Sequence, residues 1–326
     1  MTGPSTFLLR YLVAPCWKKA IELESPWAGD KTVININRPE RQVYGTLTCQ
    51  SKDWTMSFQT ASSWKSLLAN LGPNGHAVQL YQTEEFFGDA VSHFTAEGLV
   101  KRESLIIVAT ESHWDIISSR LSHKGFDIEE LRRQGQLTVL DADATLPKFM
   151  VNDMPDAKTF KGIAGATIEK ARAGGRYPRV RWWGEMVNVL YVDGNSPGSI
   201  RLEELFDQVA HEESIAIFCS FRMDKFDRQI YDGPLQNVCH THAHLIPAEN
   251  YERHRECVDR AVAEVFSGIE DEFLDCLASA KKWSGPEMPT AQALLLWLKE
   301  SSPYLADRVL QLADHYEQQY KATTDT

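Results

Sequence analysis

The stretch from His76 to Thr110, HAVQLYQTEEFFGDAVSHFTAEGLVKRESLIIVAT, decides the fold class. HAVQLY (76–81) is a short apolar run. TEEFFGDAVSHFTAEGL (83–99) repeats its apolar residues at helical spacing, and SLIIVAT (104–110) suits a strand buried on both faces. Two strands separated by a helix cannot close as a hairpin, and the helix supplies the crossover that parallel pairing requires. The alternation continues through HWDIISSRLSHKG (113–125), a helix ending at Gly125, and QLTVLDA (136–142), a strand. A helix at 156–174 and the apolar-aromatic strand that opens RVRWWGEMVNVLYVDG (179–194) follow. A helix at 198–211 and the strand SIAIFCSF (214–221) complete the series. This pattern predicts a three-layer α/β domain whose mostly parallel sheet is covered by helices on both faces.

The flanks differ in texture. Residues 1–72 contain short alternating segments, VININ (33–37), VYGTLTC (43–49) and WTMSF (54–58), expected to form a few antiparallel strands. SSWKSLLANLG then reads as a helix, capped by Ser62 or Ser63 and stopped at Gly72 and Pro73. Beyond the α/β region, taken as 73–250, VCHTHAHLIP (238–247) is expected to add an edge strand. The extension 251–326 reads as helices at 251–266, 269–282, 289–300 and 303–321, whose acidic excess suits solvated packing elements better than a DNA-reading module.

With 326 residues, 43% of them hydrophobic, the chain can bury a sizeable core, and its net charge of −11 opposes direct binding of nucleic acid or anionic lipid. The six cysteines lie far apart with no C-x-x-C pair, as expected for reduced thiols. The N-terminal segment does not read as a secretory leader, and no run is long enough to cross a bilayer. A cytoplasmic location is the expectation.

Parallel sheets place ligands at the carboxyl ends of their strands, so a phosphate cradle would follow the first strand. The loop there reads Tyr81-Gln82-Thr83-Glu84-Glu85, with neither the glycines nor the lysine that phosphates need. No G-x-x-x-x-G-K-[ST], no G-x-G-x-x-G after a strand and no G-x-S-x-G elbow occurs, and His211-Glu212 lacks the second histidine of a zincin helix. The candidate ligand-binding residues are therefore strand-end polar groups: Tyr81, Thr83, Thr110, His113, Asp141, Trp183 and Glu185. Glu185 is also the candidate acid/base group, since burial at the rim would raise its pKa. The competing reading has Trp182 and Trp183 packing, Glu185 capping a helix or pairing with an arginine, and Ser112 and Thr145 serving as caps. Glu203 is a conceivable acidic companion of Glu185, whereas His76 and His93 read as isolated structural residues. In an extended strand His240, His242 and His244 would share one face and could ligate zinc or iron, with Glu249, His254 or Cys257 nearest in sequence for a further ligand. The alternative is a solvent-facing edge strand.

An ordered series of landmarks carries a family resemblance. It runs from His76 and Leu80-Tyr81 through Gly98-Leu99, Ile106-Ile107-Val108-Ala109-Thr110, Gly125-Phe126-Asp127 and Gly135-Gln136-Leu137 to Leu140-Asp141-Ala142. It continues with Phe149-Met150, Pro155-Asp156, Gly184-Glu185-Met186-Val187, Leu202-Glu203 and Phe218-Cys219. Over about residues 75–250 this set resembles the MEDS family, the sensory domain of methanogen and methylotroph regulators of the DcmR type. The resemblance implies a RecA/KaiC-like fold that has lost its phosphate loop. It also implies a ligand or signal sensor that works with kinases, transcription regulators or anti-sigma partners. Neither end of this chain shows a kinase or a helix-turn-helix, so the expected output is a binding surface or a separate effector protein, with room for a homo-oligomer. The leading expectation is a non-catalytic sensory or regulatory protein. Alternatives are a metal-dependent or acid-base enzyme using the histidine strand or Glu185, and an interaction scaffold.

Overall fold

Six strands pair in parallel in the computed structural model, which describes residues 10–13, 19–24, 31–36, 63–267 and 289–324. Their spatial order is β6 (Leu137–Asp141), β5 (Ser104–Ala109), β9 (Val180–Gly184), β10 (Ala216–Arg222), β4 (His76–Tyr81) and β11 (His244–Leu245). Three short antiparallel strands, β1 (Arg10–Val13), β2 (Lys19–Glu24) and β3 (Lys31–Ile36), form a separate sheet. Residues 150–155 make a small hairpin of β7 (Met150–Val151) and β8 (Met154–Pro155). The strands expected at 43–49 and 54–58 and the helix expected at 269–282 lie outside the described residues.

The central strands are buried on both faces because their side chains alternate between two apolar layers. Ala77, Leu105, Ile107, Trp183 and Phe218 face a layer built by α1 (Ser63–Ala69), α2 (Glu84–Val100), α3 (Glu111–His123) and α4 (Ile128–Arg133). Val78, Ile106, Val108, Trp182 and Ile217 face the other layer. It contains α6 (Ala157–Arg172), α7 (Met186–Val192), α8 (Ser196–Glu213) and α10 (Pro234–Thr241), which follow the short helices α5 (Ala142–Thr145) and α9 (Arg228–Tyr231). That second core continues without a break into α11 (Tyr251–Val265) and the closing helices Thr290–Ser301 and Pro303–Thr324, through residues such as Val258, Leu295 and Val309. No helix among the described residues is long and apolar enough to cross a membrane.

The layering sets where the chain turns. The connections leaving β4 and β5 run to the α2–α4 layer, whereas those leaving β9 and β10 run to the opposite layer. Neighbours β5 and β9, and likewise β4 and β10, therefore diverge at their carboxyl ends. Such switch points are where open α/β sheets form ligand crevices.

One expected element is corrected. VCHTHAHLIP does not form a strand over 238–247: Pro234 opens helix α10, which runs to Thr241, and only His244–Leu245 pairs with β4. Proline at the first helical position starts a helix without losing a needed N–H, and the apolar Leu235, Val238 and Cys239 recur at helical spacing and are buried. The period-2 placement of the three histidines is overridden by that apolar face.

Candidate functional site at the carboxyl edge

Strand β9 delivers Glu185 to the switch point. Its N–H donates to the Val108 carbonyl at 3.1 Å, extending the ladder to β5 by one rung. Glu185 occupies the N-cap position of α7, but its side chain makes no cap bond. Instead it crosses to the β5–α3 turn. One carboxylate oxygen accepts the N–H of Thr110 and the other meets Nδ1 of His113, so the carboxylate clasps the two diverging connections together. At 2% exposure Glu185 is desolvated, and both oxygens are engaged, which suits a fixed anchor better than a base free to take a proton.

His113 lies between two carboxylates, with Nε2 at 3.1 Å from Glu84 and Nδ1 on Glu185. Its ring packs on Phe87 with centroids 4.2 Å apart, and Tyr81 closes the other side at 6.3 Å. Burial pulls the imidazole pKa down, but the carboxylates of Glu185 and Glu84 outweigh it and hold the pKa above its ordinary value. The Tyr81 hydroxyl is pushed far up, first by burial and then by Glu185 and Glu84, and stays protonated beside Asn188. Because the folded-state pKa of His113 is raised, its ion pairs stabilise the fold fully below about pH 6.5, the ordinary imidazole value, and that stabilisation fades as pH rises through the higher folded value. The difference in melting temperature between wild type and His113→Gln should thus shrink on going from pH 6 to alkaline pH. A difference that stays constant across that range would refute the charged pairing.

At the second switch point the loop after β4 meets the segment preceding α11. Thr83 caps α2 by accepting the Phe86 N–H at 3.3 Å. It also donates its hydroxyl to Glu249 Oε1 at 2.7 Å, and its N–H to Oε2 at 3.3 Å. Helix N-termini attract anions through free N–H groups and the helix dipole, and here the carboxylate of Glu249 takes that place from within the chain. The first-turn residues Glu84 and Glu85 add to the negative charge. Lys225 Nζ donates to the Glu249 carbonyl at 3.0 Å and pairs with Glu317 at 2.9 Å.

The other residues read from the sequence separate. Asp141 Oδ1 accepts the Ala144 N–H at 2.6 Å and so caps α5 at the far edge of the sheet. Trp183 is 0% exposed, packs on Phe87 and donates its indole N–H to Ser220 at 3.1 Å, leaving no face for a ligand. The caps assigned to Ser112 and Thr145 do not form: Ser112 lies inside α3, and Thr145 makes no side-chain cap bond. Thus Tyr81, Thr110, His113 and Glu185 converge, Thr83 sits at the adjoining turn, and Asp141 and Trp183 are structural.

The histidine triplet also separates. His240 lies within α10, its side chain outside the described residues; His244 is on β11, and His242 turns into the core. There it meets His76, Glu203 and Cys219, residues with no common sequence motif. Glu203 therefore pairs with histidines and not with Glu185. Asn188 and Arg222, whose N–H donates to Asn188 at 2.8 Å, were likewise unmarked by any pattern, and Glu249, considered only as a further metal ligand, instead meets Thr83.

No curated protein matches the chain. A family model described as the MEthanogen/methylotroph, DcmR Sensory domain matches residues 75–243, the span that carries every strand of the parallel sheet up to the edge of β11 and every residue of the carboxyl-edge clasp. With just over half of the 326 residues matched, and with the parallel sheet that the landmark series implied, the chain belongs to the MEDS family of sensory domains.

Proposed function

We propose that this protein is a non-catalytic sensor that takes a small-molecule signal at the carboxyl edge of its parallel sheet and passes it to a separate effector protein. The observation that carries this reading is the Glu249 carboxylate seated on Thr83 at the N-terminus of α2. In a nucleotide-hydrolysing relative of this fold that position would cradle phosphate. Here an internal anion fills it, and Glu84 and Glu85 repel another. The clasp of Glu185, Thr110 and His113, with Tyr81 and Phe87 behind it, offers a rigid polar-aromatic wall suited to a small neutral or cationic ligand. The chain Thr83, Glu249, Lys225, Glu317 joins that edge to the last helix, so a ligand that shifts the loop after β4 has a physical route to the closing helices. The effector belongs to the kinase, transcription-regulator or anti-sigma class, and the free thiols of Cys219, Cys239 and Cys257 fit a reducing cytoplasmic setting.

A thermal-shift screen of untagged protein against one-carbon compounds, other small neutral and cationic molecules, and nucleotides tests the reading. The expected result is stabilisation by a member of the first two groups that is lost in Glu185→Gln, with no shift from Mg-ATP. ATP hydrolysis that co-purifies with the protein through successive columns would overturn it.

A further inference from the structure

On the sheet face opposite the clasp helices, four potential ligands converge from four elements: His76 at the start of β4, Glu203 on α8, Cys219 on β10 and His242 in the α10–β11 turn. All four are buried, and their donor atoms lie within 4.8 Å of one another. We propose that His76, Glu203, Cys219 and His242 form a closed zinc site that pins α8 and the α10–β11 turn to the sheet.

Geometry is the first argument. His76 Nε2 lies 3.4 Å from both Cys219 Sγ and Glu203 Oε2, His242 Nε2 lies 3.4 Å from the same Oε2, and Cys219 Sγ lies 3.6 Å from it. Zinc bound tetrahedrally at about 2.0–2.1 Å to nitrogen or oxygen and about 2.3 Å to sulfur sets its ligand atoms roughly 3.3–3.8 Å apart. Four of the six ligand–ligand spacings are those of a tetrahedron's edges, and the remaining two lie within 4.8 Å.

The second argument is the orientation of the imidazoles. His242 donates from Nδ1 to the Val238 carbonyl at 2.6 Å, which leaves Nε2 as a bare acceptor. That acceptor is buried without a hydrogen-bond partner and faces a carboxylate oxygen, itself an acceptor. Two acceptors aimed at each other in a dry site repel unless a proton or a metal ion lies between them. His76 also turns Nε2 toward the centre, while its Nδ1, buried without a hydrogen-bond partner, faces the Asp207 carboxylate at 3.7 Å. Metal-ligating histidines hold their second nitrogen on a carbonyl or carboxylate, as His242 does on Val238. The two ring centroids lie 4.0 Å apart with their planes tilted by 39°, side by side at the cluster.

Donor chemistry selects the metal. Two imidazoles, a thiolate and a carboxylate form a mixed nitrogen, sulfur and oxygen set that suits zinc and not magnesium or calcium. The thiolate and carboxylate together neutralise a divalent ion, so the buried complex carries no net charge. Four protein ligands leave no open position for substrate, which makes the site structural.

Protein made without a polyhistidine tag, incubated with zinc and freed of excess by gel filtration, is expected to hold one zinc per chain by elemental analysis. Replacement by cobalt should give the intense visible bands of a tetrahedral site together with a thiolate-to-cobalt charge-transfer band. Cys219→Ser should abolish that band. Asp207→Asn, at a half-exposed position, should weaken zinc binding about 10–100-fold by removing the carboxylate that faces His76 Nδ1. Folded wild-type protein that retains no zinc would overturn the proposal. So would metal binding that neither substitution alters, since the ion would then reside elsewhere.

Discussion

Glu103→Ala is expected to lower the stability of this protein by about 3–5 kcal/mol, because it leaves the buried guanidinium of Arg181 without its counter-charge. Arg181 is 2% exposed and lies between the α1–α2 layer and the sheet. Its Nε contacts Glu103, its Nη1 donates to the Leu68 carbonyl at 2.7 Å, and its Nη2 donates to the Ala69 carbonyl at 2.7 Å. Those carbonyls end helix α1, where no intrahelical donor remains for them, so one side chain both neutralises Glu103 and caps a helix. The guanidinium also lies 4.9 Å from the Phe94 ring centroid. Room for it comes from Gly98, where a Cβ would stand 2.8 Å from Arg181 Cδ. Urea unfolding provides the check. The double variant Glu103→Leu/Arg181→Met should recover only part of the loss, because the Leu68 carbonyl loses its donor, whereas that of Ala69 keeps Lys101. A loss below about 1 kcal/mol for Glu103→Ala would show that the pair is effectively solvated.

Glu317→Ala is expected to cost a similar amount, about 3–5 kcal/mol, for the same reason at the other end of the molecule. Lys225 and Glu317 are each 4% exposed and pair at 2.9 Å. Without Glu317 the ammonium keeps, among the described residues, the Glu249 carbonyl as its acceptor. The loss should also travel: loosening Lys225 frees the Glu249 segment, and hydrogen exchange at Thr83 and around residues 249–251 should speed up more than exchange in β5 or β9. Unchanged exchange at Thr83, with global stability reduced, would break the link between the closing helices and the carboxyl edge. The continuity of the apolar core from the sheet face into the closing helices makes the same point in hydrophobic terms.

The sensor reading and the zinc proposal stand on separate residues. The clasp lies on the α2–α4 side and at the strand ends, whereas the His76 cluster lies beneath α8 and α10. Metal removal can therefore be compared with the Glu185→Gln variant.

The parallel α/β layout was legible in the chain alone, because each central strand is a predominantly apolar run and each crossover repeats at helical spacing; both are local patterns of burial that need no knowledge of neighbours. The missing phosphate loop was legible for the same reason, as a property of five consecutive residues after β4. So were Glu185 and His113 as rim residues, since a strand's end and a helix's start are visible in the chain. What sequence pattern misjudged was VCHTHAHLIP, where alternating histidines suggested a strand but the buried Leu235, Val238 and Cys239 and the Pro234 start made a helix. Which distant residues meet depends on the three-dimensional packing. Glu185 reaches Thr110 and His113, Glu249 reaches Thr83, and His76 meets Glu203, Cys219 and His242 through strand order and crossover side. Those contacts span between 16 and 166 positions, and no local spacing encodes them.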